Sequence, residues 1–311
     1  MITVVIPLFN EEASLTPLTE KIRTVAHEHS YDLEILFVDD GSTDSSLQII
    51  QKLHRACPRE IHYISLGRNQ GKSAALNAGF SHATGDIIIT MDADLQDDPA
   101  AIPDFIDAIS EGWDVVSGWK QHRKDPFLSK NLPSKVFNRI TSLFGKIRLH
   151  DFNCGFKAYT REAARSLDVY GERHRFLPLL AHWNGFSVTE IPVPHHKRKY
   201  GKTKFGADRF INGFFDLITL IFLRKYMTSP LHFFGIFSLI LFAIGGSILT
   251  YFGIQWFSGS PLHVRPIILF AVTAIIVAVQ FFSLGLLGEL FIHMGKKRAP
   301  MIKDRSSEEL V

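Results

Sequence analysis

Two aspartates one residue apart, Asp92 and Asp94, follow the apolar run Ile87-Ile88-Ile89 and precede Gln96, Asp97 and Asp98. Carboxylates at that spacing can close on one cation where the chain turns. Hard ions such as Mg2+ or Mn2+ take oxygen ligands and bridge readily to phosphate. An ion held there would neutralise the charge that builds on a departing diphosphate. Gln96 offers a further neutral oxygen. The plainer alternative is a helix start, with Asp98 capping the turn that begins at Pro99, and the two readings are compatible. A second acidic cluster, Asp39-Asp40-Gly41-Ser42, either accepts hydrogen bonds from a base or ribose or simply makes a turn around Gly41. A third, Asn10-Glu11-Glu12, lies near the amino terminus.

Other candidate chemistries fall away. Gly71-Lys72-Ser73 imitates the end of a phosphate-binding P-loop, but the glycine required five residues earlier is Leu66. An ordinary loop feeding a helix at Ser73–Gly79 is the alternative. No serine or cysteine nucleophile motif is present, and His195-His196 is too short a cluster to suggest zinc. A net charge of +3 without a basic-aromatic motif does not point to nucleic acid. Cys57 and Cys154, far apart in sequence, are expected to be free thiols in a reducing compartment. Met1–Pro7 has neither a basic start nor a cleavage signal, so the first domain is expected to stay in the cytosol.

The elements that must position these residues alternate. Ile2–Ile6, Leu33–Val38, Ile61–Leu66, Asp86–Met91 and Val115–Ser117 are short apolar runs that read as strands. Between them Ala13–His29, the segment with Leu47, Ile50 and Leu53, Ser73–Ala83 and a stretch from Pro99 to Ile109 have helical spacing, with Thr43 or Asp44 as a cap for the second helix. Alternation implies an α/β fold with a mostly parallel sheet covered on both faces. Ligands in such sheets bind beyond the carboxyl ends of the strands, and all three acidic clusters follow strands. Their shared placement on one rim is a stronger signal than any cluster alone.

Charge is unevenly spread. Between Leu231 and Gly288 the one formally charged residue is Arg265. Leu231–Gln255 and Pro266–Gly288 hold 25 and 23 residues without formal charge, enough at ~1.5 Å per residue to cross a core of ~30 Å. Arg224-Lys225 before the first span and Lys296-Lys297-Arg298 after the second put both ends in the cytoplasm. Phe205–Tyr226 mixes Phe210, Phe214, Leu217, Ile218 and Ile221 with charges and reads as an amphipathic interfacial helix. The expected organisation is a catalytic domain over 1–205, an interfacial region over 206–228, two spans within 229–290 and a polar cytoplasmic tail over 291–311.

Three motifs resemble family 2 glycosyltransferases: Val5-Ile6-Pro7-Leu8-Phe9-Asn10-Glu11-Glu12, Val38-Asp39-Asp40-Gly41-Ser42-Thr43-Asp44 and Asp92-Ala93-Asp94-Leu95-Gln96-Asp97-Asp98-Pro99. Their order is similar to that of the Rossmann-like GT-A fold. Asp151–Tyr159 and His195–Gly206 resemble the dolichyl- and polyprenyl-phosphate sugar synthases within that family. The resemblance covers residues 1 to about 226. It implies that Pro7, Phe9 and Glu11 line a nucleoside pocket, with Asp39 or Asp40 on base or ribose and Ala93 beside the nucleotide. It implies that Asp92, Asp94 and Gln96 handle diphosphate and metal, that Asp151 is the catalytic carboxylate, and that Arg198, Lys202, Thr203 and Lys204 bind the acceptor phosphate. Where relatives have Gly-x-Ser-Lys-Tyr, this chain has Thr203, which keeps the hydroxyl, and Phe205, which loses one.

The mechanism that follows is direct displacement with inversion, from a UDP- or GDP-linked sugar to polyprenyl phosphate. A phosphate monoester with a second pKa of about 6 is largely ionised at neutral pH, so bringing two anions together matters more than a strong base. Lys197, Arg198, Lys199, Lys202, Lys204 and Arg209, against Asp208 alone, would meet the acceptor; the same run also suits an anionic lipid surface. Trp119 and Arg123 are candidates for sugar specificity. A processive polysaccharide synthase would carry Gln-x-x-Arg-Trp, which is missing, and a catalytically silent membrane adaptor need not keep Asp92, Asp94, Gln96 and Arg198. The sequence leaves the sugar and the oligomeric state open, a homo-oligomer included.

Overall fold

The structure is a computed structural model. It describes residues 1–121, 141, 142, 145, 147–171, 173–196, 218, 219, 222, 226, 229–259, 261 and 265–295. Two compact units divide at residues 217 and 218.

The first unit is built on a sheet of seven strands. β1 (Ile2–Leu8), β2 (Leu33–Asp39), β3 (Ile61–Ser65), β4 (Ile87–Thr90) and β5 (Val115–Trp119) are the five expected from the sequence. β6 (Lys157–Thr160) and β7 (Val188–Pro192) were not expected. The order is β3-β2-β1-β4-β6-β5-β7. β6 runs antiparallel to β4 and β5, and every other pairing is parallel. Strands β1, β2, β4 and β5 therefore end on one rim.

Alternation decides which helices cover which face. Val4, Ile6, Ile35, Phe37 and Ile89 pack with Leu15, Leu18 and Ile22 of α1 (Glu12–Glu28), Ile50 of α2 (Ser46–Ala56) and Phe105 of α4 (Ile102–Ser110). Val5, Leu36, Val38, Ile88 and Tyr159 point the other way. They meet Leu76 and Phe80 of α3 (Lys72–His82), Ala163 and Ala164 of α5 (Arg161–Ser166) and Leu177 of α6 (Leu177–Trp183). Fully burying one such Leu, Ile or Phe is worth about 1.5–3 kcal/mol, so both faces anchor the rim firmly. Cys57 and Cys154 are both free thiols.

Two starts differ from the sequence reading. α3 begins at Lys72, after Gly71 at φ 93°. Ser45 occupies the cap of α2, while Asp44 Oδ1 accepts from the Ser46 N–H at 2.9 Å. Asp98 caps as expected, its side chain accepting from the Ala100 N–H at the head of a 3-10 turn, Pro99–Ala101.

The second unit holds α7 (Pro230–Phe257) and α8 (Pro266–Gly295), 28 and 30 residues long. Both are long and apolar enough to cross a membrane, and both exceed the spans read from charge alone. They pack through small residues. A Cβ on Gly245 would fall 2.7 Å from the Ala271 carbonyl, and one on Gly288 would fall 2.9 Å from Pro230 Cβ. Most of the expected interfacial helix over 206–228 lies outside the described residues.

Candidate active site

The loops after β1 and β2 hold each other. Asn10, at φ 54°, accepts through Oδ1 from the Thr43 N–H at 2.7 Å, and its own N–H donates to Ser42 Oγ at 2.9 Å. The Glu11 N–H donates to Ser46 Oγ and the Ser45 N–H to Glu12 Oε2, each at 2.9 Å. Much of the polarity of Asn10-Glu11-Glu12 thus builds the rim. Pro7 is buried in β1 opposite Val38, and Phe9 and Glu11 are half-buried.

Asp39 and Asp40 are both buried. Asp39 accepts from the Ser42 N–H and from Ser65 Oγ, both at 3.0 Å. Asp40 accepts from the Gln70 and Gly71 N–H groups at 2.7 and 2.8 Å and so fixes the loop that leads into α3. Gly41 serves the turn twice over. Its φ is 71°, and a Cβ there would lie 2.6 Å from the Arg68 carbonyl carbon.

That loop delivers Lys72, whose ammonium forms an ion pair with Asp92 Oδ1. The chain turns at Ala93 and Asp94, and Leu95 takes a φ of 59°. Ala93 buries its methyl in the core, and Asp94 Oδ1 accepts from the Gln96 N–H at 3.1 Å. Gly155 lies flat against Asp92, where a Cβ would sit 2.6 Å from Oδ2. Burial opposes ionisation of Asp92, yet Lys72, Lys120 and Lys157 hold its carboxyl down at about 2.

Those lysines come from different elements. Lys157 sits in β6 opposite Thr90 and Ser117, buried, with its ammonium on the Cys154 carbonyl. Burial pushes its pKa below the usual lysine value, against the pull of Cys154, Asp151 and Asp92. Lys120 follows β5 and reaches fully buried Asp97 at 2.6 Å. Burial opposes its charge too, but Asp97 prevails and its pKa is raised. Burial pushes the Cys154 thiol up to about 11 and keeps it inert. His174 faces Ser73 Oγ at 3.1 Å. Burial and then Lys72 hold it well below the usual imidazole range, so it is neutral.

Asp151 is buried as well, and its Oδ1 accepts from the Asn153 N–H at 3.0 Å. The residue before it forms a tight group. The His150 imidazole stacks on Trp119 with centroids 4.1 Å apart. Glu190 of β7 accepts the His150 N–H at 2.8 Å and pairs with its Nδ1.

The motif loop also meets the chain that leaves β7. Asp97 and His195 form an antiparallel bridge, and the His196 N–H donates to the Gln96 carbonyl at 2.9 Å. His196 Nε2 lies 2.9 Å from Asp98 Oδ2. Lys197 is the next residue in sequence. Arg198, Lys202, Thr203, Lys204 and Arg123 lie outside the described residues.

The family model "Glycosyl transferase family 2" matches residues 3–168. The chain belongs to that family. This glycosyltransferase is 33% identical over 296 residues to the dodecaprenyl-phosphate galacturonate synthase of Rhizobium johnstonii, covering 93% of this chain and 87% of the relative. Its fold is shared with glucosyl-3-phosphoglycerate synthase of Mycobacterium tuberculosis, solved with Mn2+, UDP and phosphoglyceric acid. That match has a TM-score of 0.54 at 20% identity and covers 72% of this chain and 78% of that one. Mannosyl-3-phosphoglycerate synthase of Rubrobacter xylanophilus matches at a TM-score of 0.56 and 14% identity, covering 73% and 74%.

In the glycosyltransferase the residues read from sequence at Asp92–Asp98 do share one rim with Asp39 and Asp40. The three lysines around Asp92, and His150 and Glu190 beside Trp119, were missed. Lys72 had a usable signal, because its loop follows β3 on the same rim. Lys157 had none, because it lies in a strand the sequence does not announce. Among the described residues no three His, Cys, Asp or Glu side chains form a ready metal cage. The donors present are all oxygens, and Asp92 and Asp94 flank one turn. That set suits a hard cation whose remaining ligands come from a diphosphate.

Proposed function

We propose that this glycosyltransferase moves a sugar from a nucleoside diphosphate to polyprenyl phosphate at the cytoplasmic face of a membrane, inverting the anomeric carbon. The observation that carries this reading is the contact of Gln96 with His196. It brings the loop of Asp92 and Asp94 against the chain one residue before the run Lys197–Arg209 begins. The relative named for a dodecaprenyl-phosphate product supports the acceptor class, and the galacturonate in its name puts a nucleotide-linked uronic acid among the donors to try first.

In this reading Asp92, Asp94 and Gln96 would hold a Mg2+ or Mn2+ ion beside the donor. When bound, the ion supplies charge neutralisation for the leaving group. Pro7, Phe9 and Glu11 line the nucleoside side, and Asp39 and Asp40 keep that side rigid. Lys72, Lys120 and Lys157 offset the carboxylates, so the site accepts an anionic donor without a large net negative field. Asp151 orients the acceptor or takes its residual proton. Arg198, Lys202, Thr203 and Lys204 bind the acceptor phosphate, and α7 and α8 hold the enzyme at the bilayer.

The test is incubation of the full-length enzyme in proteoliposomes with undecaprenyl phosphate and labelled UDP-galacturonate, UDP-glucose, UDP-N-acetylglucosamine and GDP-mannose. Label that passes into the organic phase, disappears with EDTA and returns with Mn2+ or Mg2+ supports the reading. Failure with every donor, or a product that keeps the donor's anomeric configuration, overturns it.

A further inference from the structure

The second long helix, α8, has two opposite seams at heptad spacing. The first runs through Ala271, Ala274, Ala278, Phe281, Gly285 and Gly288, and α7 fills it. The three alanines are buried, Phe281 meets Phe234 and Phe237, and a Cβ on Gly285 would lie 2.9 Å from Leu231. The second runs through Thr273, Ile276, Gln280, Ser283 and Leu287, all exposed.

On the reading that α7 and α8 cross a bilayer, Gln280 sits inside the hydrocarbon core. It lies 14 residues after Pro266 and 8 before Gly288, the ends of the uncharged stretch. That is ~21 and ~12 Å from the two ends, beyond the reach of its side chain to a headgroup. The hydroxyls of Thr273 and Ser283 are satisfied by their own helix, donating to the Leu269 and Val279 carbonyls at 2.8 and 2.9 Å. No such hydrogen bond holds the Gln280 amide among the described residues. Lipid tails can cover Ile276 and Leu287, but they offer an amide neither donor nor acceptor, and unpaired polar groups are costly in hydrocarbon.

A primary amide carries both donors and an acceptor, so it pairs with a copy of itself across a two-fold axis. We propose that the Gln280 seam of α8 is a self-association surface, occupied by the same seam of a second copy of this chain, with the two amides hydrogen-bonded inside the hydrocarbon core. Small hydroxyl residues on either side let the helices approach closely.

The experiment uses the full-length chain in liposomes, labelled with a fluorescent donor and acceptor, over a series of protein-to-lipid ratios. Wild type is expected to show energy transfer that falls on dilution. Gln280→Leu, which favours insertion, should shift that midpoint by about tenfold, whereas Gln280→Asn keeps the amide and should stay near wild type. Under membrane-permeant oxidation Ser283→Cys should cross-link two copies, and Phe282→Cys, off the seam, should not. Unchanged association of Gln280→Leu, a wild type that stays monomeric, or equal cross-linking at both cysteines would overturn the proposal. Release of the chain from membranes by alkaline carbonate would overturn the membrane reading itself and is scored separately.

Discussion

Lys72, the first residue of α3, forms an ion pair with Asp92 Oδ1 across the rim, 20 residues along the chain. Both side chains are mostly buried, so neither is well solvated if the other is lost. In a family 2 glycosyltransferase this lysine lies where the donor's phosphates are proposed to arrive. Lys72→Met is therefore expected to lower kcat/KM for the donor about 10- to 100-fold, in the range for residues that orient a metal ligand. Lys72→Arg keeps the charge and should recover part of it. Steady-state kinetics at saturating acceptor read the difference, and equal activity of Lys72→Met and wild type would contradict the role.

The same pair sets an acid limit. The Asp92 carboxyl has a folded-state pKa of about 2 against an ordinary 3.8, depressed by Lys72, Lys120 and Lys157 in spite of burial. A depressed carboxylate stabilises the fold fully above the ordinary value and loses that contribution as pH falls toward 2. Thermal midpoints measured from pH 5 to pH 2 should drop more steeply for wild type than for Asp92→Asn. Parallel curves would show that Asp92 is not the group being titrated.

Gly155→Ala isolates a steric effect. Its methyl would fall 2.6 Å from Asp92 Oδ2, so the carboxylate must move. Activity is expected to fall at least about tenfold, because a carboxylate proposed to act at the reacting centre would lose its alignment. The thermal midpoint should fall only modestly, by the part of the Lys72 ion pair that is lost when the carboxylate moves. A variant that keeps full activity would mean that Asp92 tolerates displacement and is not holding the reacting groups.

Part of this site is legible in the sequence and part is not, for physical reasons. Asp92 is legible because β4 opens on an Ile-Ile-Ile run, and such a run is buried and ends near where polarity begins. β6 hides because it is four residues long and contains Lys157, whose burial depends on partners in other elements. β7 hides because Glu190 interrupts its apolar pattern and Pro192 ends it. The mostly parallel sheet follows from alternating strands and helices, but the antiparallel β6 between β4 and β5 does not. Gly71-Lys72-Ser73 lacks the earlier glycine of a P-loop, because Leu66 stands in its place. What the pattern could not convey is that Asp40, 31 residues earlier, fixes Gly71 and aims the following lysine.

Asp97 and Lys120 form the more deeply buried ion pair. Asp97 has no exposed side-chain surface, and Lys120 keeps 11%. Removing one partner strands a charge that water cannot reach. Asp97→Asn is expected to cost about 3–5 kcal/mol in unfolding free energy, and the double variant Asp97→Asn, Lys120→Met to cost less than the single one. Denaturant unfolding of the detergent-solubilised enzyme measures both. A cost under about 1 kcal/mol would place the pair in an environment as wet as the surface.

His150 is exposed, yet among the described residues the Trp119 ring holds one face and Glu190 holds its backbone N–H and Nδ1. An exposed histidine needs no such support for folding. His150 is bonded to Asp151, and Glu190 also accepts the His150 N–H, so Glu190 holds the backbone that leads into the buried carboxylate. Glu190→Gln keeps the shape of the side chain but weakens the hold on Nδ1, because the acceptor is no longer charged. The expected result is a fall in kcat of about 10-fold with a much smaller change in thermal midpoint. His150→Ala removes the Nδ1 contact and the Trp119 stack together, so it should cost at least as much, and adding Glu190→Gln to it should cost little more, because the Nδ1 contact is already gone. Additive losses in the double variant would separate the two residues and assign Glu190 a role of its own.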